Sequence, residues 1–137
     1  MQALLARDYP AYTSALTEIR AAVRQACLGA GCDEETIAAW VLAVNEACMN
    51  VIEHAYGSGR RGEIVLEIHD NGQEIEIVLT DFAAPIDLDG VRPRALDDLR
   101  PGGLGTHFMN TIMDRCVYSH LPAGGGNVLR MTKRLAP

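Results

Sequence analysis

The sequence predicts an α+β fold, a two-layer α/β sandwich with helices on one face of a mixed, mostly antiparallel sheet. Three observations point there. Two long stretches of helical periodicity come first. Four stretches that alternate apolar and polar residues follow in two adjacent pairs. Each pair is joined by a short glycine-bearing turn, which marks hairpins rather than parallel crossovers. At 137 residues the chain suits one domain, 1–137, built on a single core.

The elements follow in order. Only "QALLAR" precedes the first helical pattern, room for one short strand at best. From about Thr13 to Leu28, Leu16, Ile19, Val23 and Cys27 recur at helical spacing, and Gly29 and Gly31 end the helix. The second helix opens at Asp33, an N-cap, with Glu34 and Glu35 where the helix dipole favours acids. It closes near Tyr56, and its apolar arc holds Ile37, Trp40, Val41, Val44, Cys48, Val51, Ile52 and Ala55. "EIVLEIHD" and "EIEIVLTD" then turn Ile64, Leu66, Ile68 and Ile75, Ile77, Leu79 to one core, and the Asn-Gly in "DNGQ" signals a tight hairpin. Periodicity fails from Phe82 to Leu104, the mark of a lid or binding loop at about 82–104. A short helix from about Thr106 to Met113 buries Phe108, Met109 and Ile112, and the strands "RCVYSH" and "NVLRMTKRL" flank the turn "LPAGGG".

Composition excludes several classes. Hydrophobic residues are 48% and charged residues 22%, a globular balance rather than a disordered one. A net charge of −6 lacks the basic stripe of a nucleic-acid binder. No apolar run reaches the roughly 20 residues of a membrane span, and "MQALLARDYP" has no leader pattern. Cys27, Cys32, Cys48 and Cys116 have no CxxC spacing, so no zinc site is expected. A soluble cytoplasmic protein is the expectation, with no nucleic acid and no membrane as partner.

Three features carry possible chemistry. Glu46 and Asn50 lie one helical turn apart, and their direction is nearly opposite the apolar arc. Two readings stand: an exposed polar face, or a base and a metal ligand pointing into one site. Ala39, Leu42 and Ala43, upstream on the same side, suit a covered face and make the pair look like a site wall. In "RPGGLGTH", Gly102, Gly103 and Gly105 precede a helix and let backbone N–H groups approach an anion, although such loops are also common turns. No GxxxxGK[ST] or strand-linked GxGxxG is present. Asp81 ends an apolar strand, either as a turn former or as a buried acceptor for an amino group.

In this order and spacing, "EACMNVIEHAY", the strand ending in Asp81, the lid and "GGLGTHFMNTIMD" resemble the N, G1 and G2 boxes of the GHKL ATPases, whose Bergerat fold is the sandwich predicted above. "LAVNEACMNVIEHAYG" and "GNVLRMTKRL" resemble the anti-sigma-factor serine kinases, stand-alone kinases of bacterial partner-switching systems, and the likeness covers nearly the whole chain. The resemblance implies ATP and Mg²⁺ as cofactors. Glu46 becomes the base on the attacking hydroxyl, Asn50 the Mg²⁺ ligand, and Asp81 the acceptor of the adenine amino group. Gly102, Gly103, Leu104, Gly105 and Thr106 close on the phosphates, while His54 and Tyr56 shape the pocket. The G1 box normally reads Asp-x-Gly, whereas this chain has Asp81-Phe82-Ala83, and the added methyl is expected to narrow the pocket. Arg100, in the lid, is a candidate for meeting phosphate charge. The implied activity is phosphorylation of a serine on an anti-anti-sigma-type antagonist. The implied regulation is sequestration of a sigma factor or other regulatory target by a homodimer. The alternative is a protein-interaction module, with or without bound nucleotide, that sequesters its partner without kinase activity.

Overall fold

The alternating apolar residues of the strand pairs fold into one five-stranded sheet of order β1-β2-β3-β5-β4, with every described ladder antiparallel. The structure, a computed structural model, describes residues 2–55, 62–84 and 112–135. The strands are β1 (Gln2–Pro10), β2 (Glu63–Asp70), β3 (Glu74–Asp81), β4 (Arg115–His120) and β5 (Asn127–Arg134). The helices are α1 (Leu16–Gly29), entered through a single 3₁₀ turn at Thr13–Ala15, and α2 (Glu34–Asn50).

The core is the one the periodicity predicts. Leu16, Ile19, Val23 and Cys27 of α1, Ile37, Trp40, Val44 and Cys48 of α2, and Ile64, Leu66, Ile68, Ile75, Ile77 and Leu79 of the hairpin are all buried in one cluster. Between the helices the chain reverses in a Schellman motif. Cys32 N–H donates to Cys27 C=O and Gly31 N–H to Leu28 C=O, with Gly31 at φ +85°. Asp33 then caps α2 by accepting Thr36 N–H at 2.8 Å, and hydrogen bonding by the Thr36 side chain and then by its N–H holds the Asp33 carboxyl below the usual carboxylate range.

Three expectations need correction. The leading strand is not short, since "RDYP" extends it and pairs along the whole of β2. Tyr9 is buried opposite Ile64, while the polar Arg7 and Asp8 are tolerated because β1 is an edge strand, exposed on its outer side. The second helix is not α-helical to its end, for after Asn50 it widens into a π-helical turn, Val51–Ala55. The expected tight hairpin joins β2 to β3 through Asn71, Gly72 and Gln73. Asn71 keeps negative φ, Gly72 takes φ +91°, and Asn71 Oδ1 accepts from Gln73 N–H and Glu74 N–H. Leu42 is 45% exposed, so the face holding Glu46 is covered by Ala43 and in part by Ala39, but not by Leu42.

Most of the 82–104 stretch read as a lid lies outside the described residues, as do Tyr56, Arg100, Gly102, Gly103, Leu104, Gly105 and Thr106. Of the short helix expected from Thr106 to Met113, only Ile112 and Met113 are described, and Met113 is buried in the core. The chain is anchored there by Lys133 Nζ on Ile112 C=O and by Arg134 N–H on Asp114 Oδ2.

Candidate functional site

The sheet places Asp81 where strand register puts it on the helix-covered face. Tyr9, Ile64, Asp81, Asn127 and His120 pair in a single row across the five strands, at the end of β3 and the start of β5. In that row Ile64 is fully buried, and Asp81 and Asn127 are only 5% and 4% exposed. Two polar side chains inside an otherwise apolar layer must satisfy one another or bind something else.

They satisfy one another in part. Asp81 Oδ1 accepts two hydrogen bonds, from Ala83 N–H at 3.0 Å and from Asn127 Nδ2 at 2.9 Å. The second Asn127 Nδ2 hydrogen reaches Ala84 C=O at 3.1 Å. Among the described residues nothing donates to Asp81 Oδ2. A carboxylate with one oxygen saturated and the other unused presents a single directed acceptor.

Gly126 permits this approach. Its backbone lies so close to β3 that an added β-carbon would overlap the Asp81 carbonyl oxygen. The turn before it bonds Leu121 N–H to Gly126 C=O at 2.9 Å and places Ala123 at φ 60°. Among the described residues Ala123 is the one non-glycine with positive φ, so Ala83 keeps an ordinary backbone. The Ala83 side chain packs into the hydrophobic core cluster, and its N–H is spent on Asp81.

On α2, Glu46 and Asn50 are half-buried. Neither has a hydrogen bond or ion pair among the described residues. Asn45, beside them, is instead tied to α1 by Arg20 Nη1 at 2.9 Å. Asn50 is the last α-helical residue before the π-helical turn, a distortion that recurs at functional sites because it re-aims side chains. Ala47 and Cys48, between Glu46 and Asn50 in sequence, share one buried cluster with Leu79 and Ala83, which flank Asp81. The helix pair and the strand-end acceptor thus rest on the same core.

Gly126 and Asn127 were absent from the sequence-based candidate set. "GGGN" reads as an ordinary turn before a strand, and the only signal was the run of three glycines next to a polar residue at a position due to face the core.

The chain resembles known proteins in sequence and in fold. The family model described as the histidine kinase-like ATPase domain matches residues 9–133. The serine-protein kinase RsbW of Halalkalibacterium halodurans is 37% identical over 102 residues, 69% of this chain and 60% of that protein. The serine/threonine-protein kinase BtrW of Bordetella bronchiseptica is 31% identical over 100 residues, 70% of this chain and 69% of that protein. The chain spans about three-fifths of the length of the RsbW relatives it matches. In fold, it superposes on the RsbU and RsbW domains of a Mycobacterium tuberculosis protein with a TM-score of 0.69 at 22% identity, covering 96% of this chain and 31% of the other. A chain of the SiaB–SiaC complex of Pseudomonas aeruginosa gives 0.66 at 14% identity, covering 97% of this chain and 91% of the other. The chain belongs to the histidine kinase-like ATPase domain family and, within it, groups with the anti-sigma-factor serine-protein kinases.

Proposed function

We propose that this protein is an ATP-dependent serine-protein kinase that sequesters a regulatory target and phosphorylates a serine on the target's antagonist. The observation that carries the reading is the buried Asp81 carboxylate, fixed by Ala83 N–H and Asn127 Nδ2, with no described residue donating to Oδ2. That oxygen suits the exocyclic amino group of adenine. The names of the relatives, serine-protein kinases, support transfer to serine.

The residues present fit a bound Mg²⁺–nucleotide. Asn50 offers a side-chain oxygen that no described residue engages, one helical turn from Glu46. It would hold the ion, which when bound neutralises charge on the triphosphate oxygens. Glu46 accepts the proton of the substrate serine hydroxyl as its oxygen bonds to the γ-phosphorus. The bond from that phosphorus to the β-phosphate bridging oxygen breaks, and ADP leaves. Gly102, Gly103, Leu104, Gly105, Thr106 and Arg100 are assigned to the phosphates by motif position alone. The kinase would act in the cytoplasm, in control of transcription, with a sigma factor or another regulator as the sequestered protein. A homodimer formed through the sheet is part of the same proposal.

A binding module without kinase activity is the competing reading, and Ala83 in the place of glycine is what favours it. The ordinary backbone of Ala83 and its place in the core weaken that argument. The deciding experiment incubates the protein with ATP, Mg²⁺ and a candidate anti-anti-sigma-type antagonist protein. Mass spectrometry should find one added phosphoryl group on a serine. Tight complex formation with no phosphoserine would establish the binding module instead.

A further inference from the structure

We infer that Asn127, at the start of β5, sets the choice of nucleotide base by locking the Asp81 carboxylate. This inference rests on the assignment of Asp81 to the adenine amino group.

The orientation of the Asn127 amide is forced by its neighbours. Its Nδ2 faces Asp81 Oδ1 at 2.9 Å and Ala84 C=O at 3.1 Å, both acceptors. A flipped amide would set its oxygen against both of them, acceptor against acceptor, in a position only 4% exposed. The amide is therefore a fixed double donor. One hydrogen, together with Ala83 N–H, saturates Asp81 Oδ1, so the carboxylate cannot turn that oxygen toward a ligand without losing two bonds. Oδ2 is left as the only acceptor available. The other hydrogen ties Ala84, where the chain leaves the sheet, to β5, which fixes the backbone carrying the Ala83 donor. At this point the described residues thereby meet the base with an acceptor. An amino group is accepted at that point, and a carbonyl faces an unpaired carboxylate oxygen.

Asn127 is thus a positioning residue, acting through Asp81. Replacing it with leucine, of similar volume, removes the lock. The carboxylate can then rotate, admit water or turn away, and discrimination should fall while the pocket keeps its shape.

The test compares equilibrium Kd values for ATP and GTP in the wild-type protein, Asp81→Asn and Asn127→Leu, with folding checked by circular dichroism. A lowered folded fraction weakens both nucleotides by the same factor, so the ratio of the two Kd values reports selectivity alone. The wild type should prefer ATP by about tenfold or more, the worth of one mismatched buried hydrogen bond. Asp81→Asn should abolish or invert that preference. Asn127→Leu should bring the ratio to within about threefold of unity, less than one hydrogen bond supplies. If the wild type discriminates, Asp81→Asn does not, and Asn127→Leu keeps the full ratio, the lock is wrong while Asp81 stands. If the wild type binds ATP and GTP equally, both assignments fall. Should the leucine variant not fold, Asn127→Ala, which also removes the donor, carries the same comparison. Failure of both variants to fold makes Asn127 purely structural and overturns the inference.

Discussion

Glu46 and Asn50 are half-buried on α2, and among the described residues no hydrogen bond or ion pair holds either of them. Side chains in that condition contribute little to stability, so substitutions there report on function rather than on folding. Glu46→Gln preserves shape and removes the proposed proton acceptor. Phosphorylation of the antagonist should fall about 10²–10⁴-fold, the usual worth of a positioned base, with ATP affinity within a few-fold of wild type. Single-turnover phosphorylation beside calorimetric ATP binding separates the two effects, and a matched loss of both would make Glu46 a pocket wall. Asn50→Ala should instead weaken ATP binding only when Mg²⁺ is present. ADP binding in a chelator should be nearly unchanged, as should the urea midpoint. A variant that simply unfolds, with no selective loss of metal dependence, would return Asn50 to the structural role of an ordinary helix end.

The turn between α1 and α2 allows a sharper test of why elements begin and end where they do. Gly29 and Gly31 are both open, since a β-carbon at either would meet nothing within 4 Å. They differ only in backbone. Gly29 closes α1 in helical conformation, whereas Gly31 takes φ +85° at the Schellman position. Gly29→Ala should therefore stabilise the protein by about 0.5–1 kcal/mol through helix propensity, and Gly31→Ala should destabilise it by about 1 kcal/mol. Urea unfolding of the two variants checks the opposite signs, and equal effects would mean the turn relaxes. Both glycines were legible as a helix stop, as were the buried faces of the helices and of the hairpin, because periods of 3.6 and 2 write burial directly into sequence. Other features left no such trace. The π-helical turn after Asn50 has no periodic signature. The full length of β1 was hidden because an edge strand tolerates Arg7 and Asp8 on its exposed side. Asn127 was hidden because an asparagine after glycines reads as turn chemistry, and only its register opposite Asp81 reveals a buried partner.

At the scale of the whole molecule, one core carries both α2, with Glu46 and Asn50, and β3, with Asp81, so a nucleotide bound at these residues would be coupled to global stability. Two cysteines placed in that core make the coupling measurable. Cys27 on α1 and Cys48 on α2 are both fully buried, and burial pushes each thiol up to about 12. Only a thiolate reacts with a disulfide reagent, so neither group is reactive in the native state near pH 8, and each must wait for the core to open. Cys32 and Cys116 are half-buried, with thiols also raised by desolvation, and should label first. Cys27 and Cys48 should then label together at one slower rate, because α1 and α2 face the same cluster. A ligand that binds only the folded state lowers the open population by the factor 1 + [L]/Kd. ATP with Mg²⁺ at about 100 times its Kd should therefore slow labelling of both cysteines about 100-fold, by the same factor, with no antagonist present. GTP at the same concentration should protect much less. Mass spectrometry of time-quenched samples resolves the sites. If Cys48 alone is protected, α2 opens independently of α1 and the core is not one cooperative unit. If ATP protects neither, the fold holds no nucleotide, and the kinase reading fails with it.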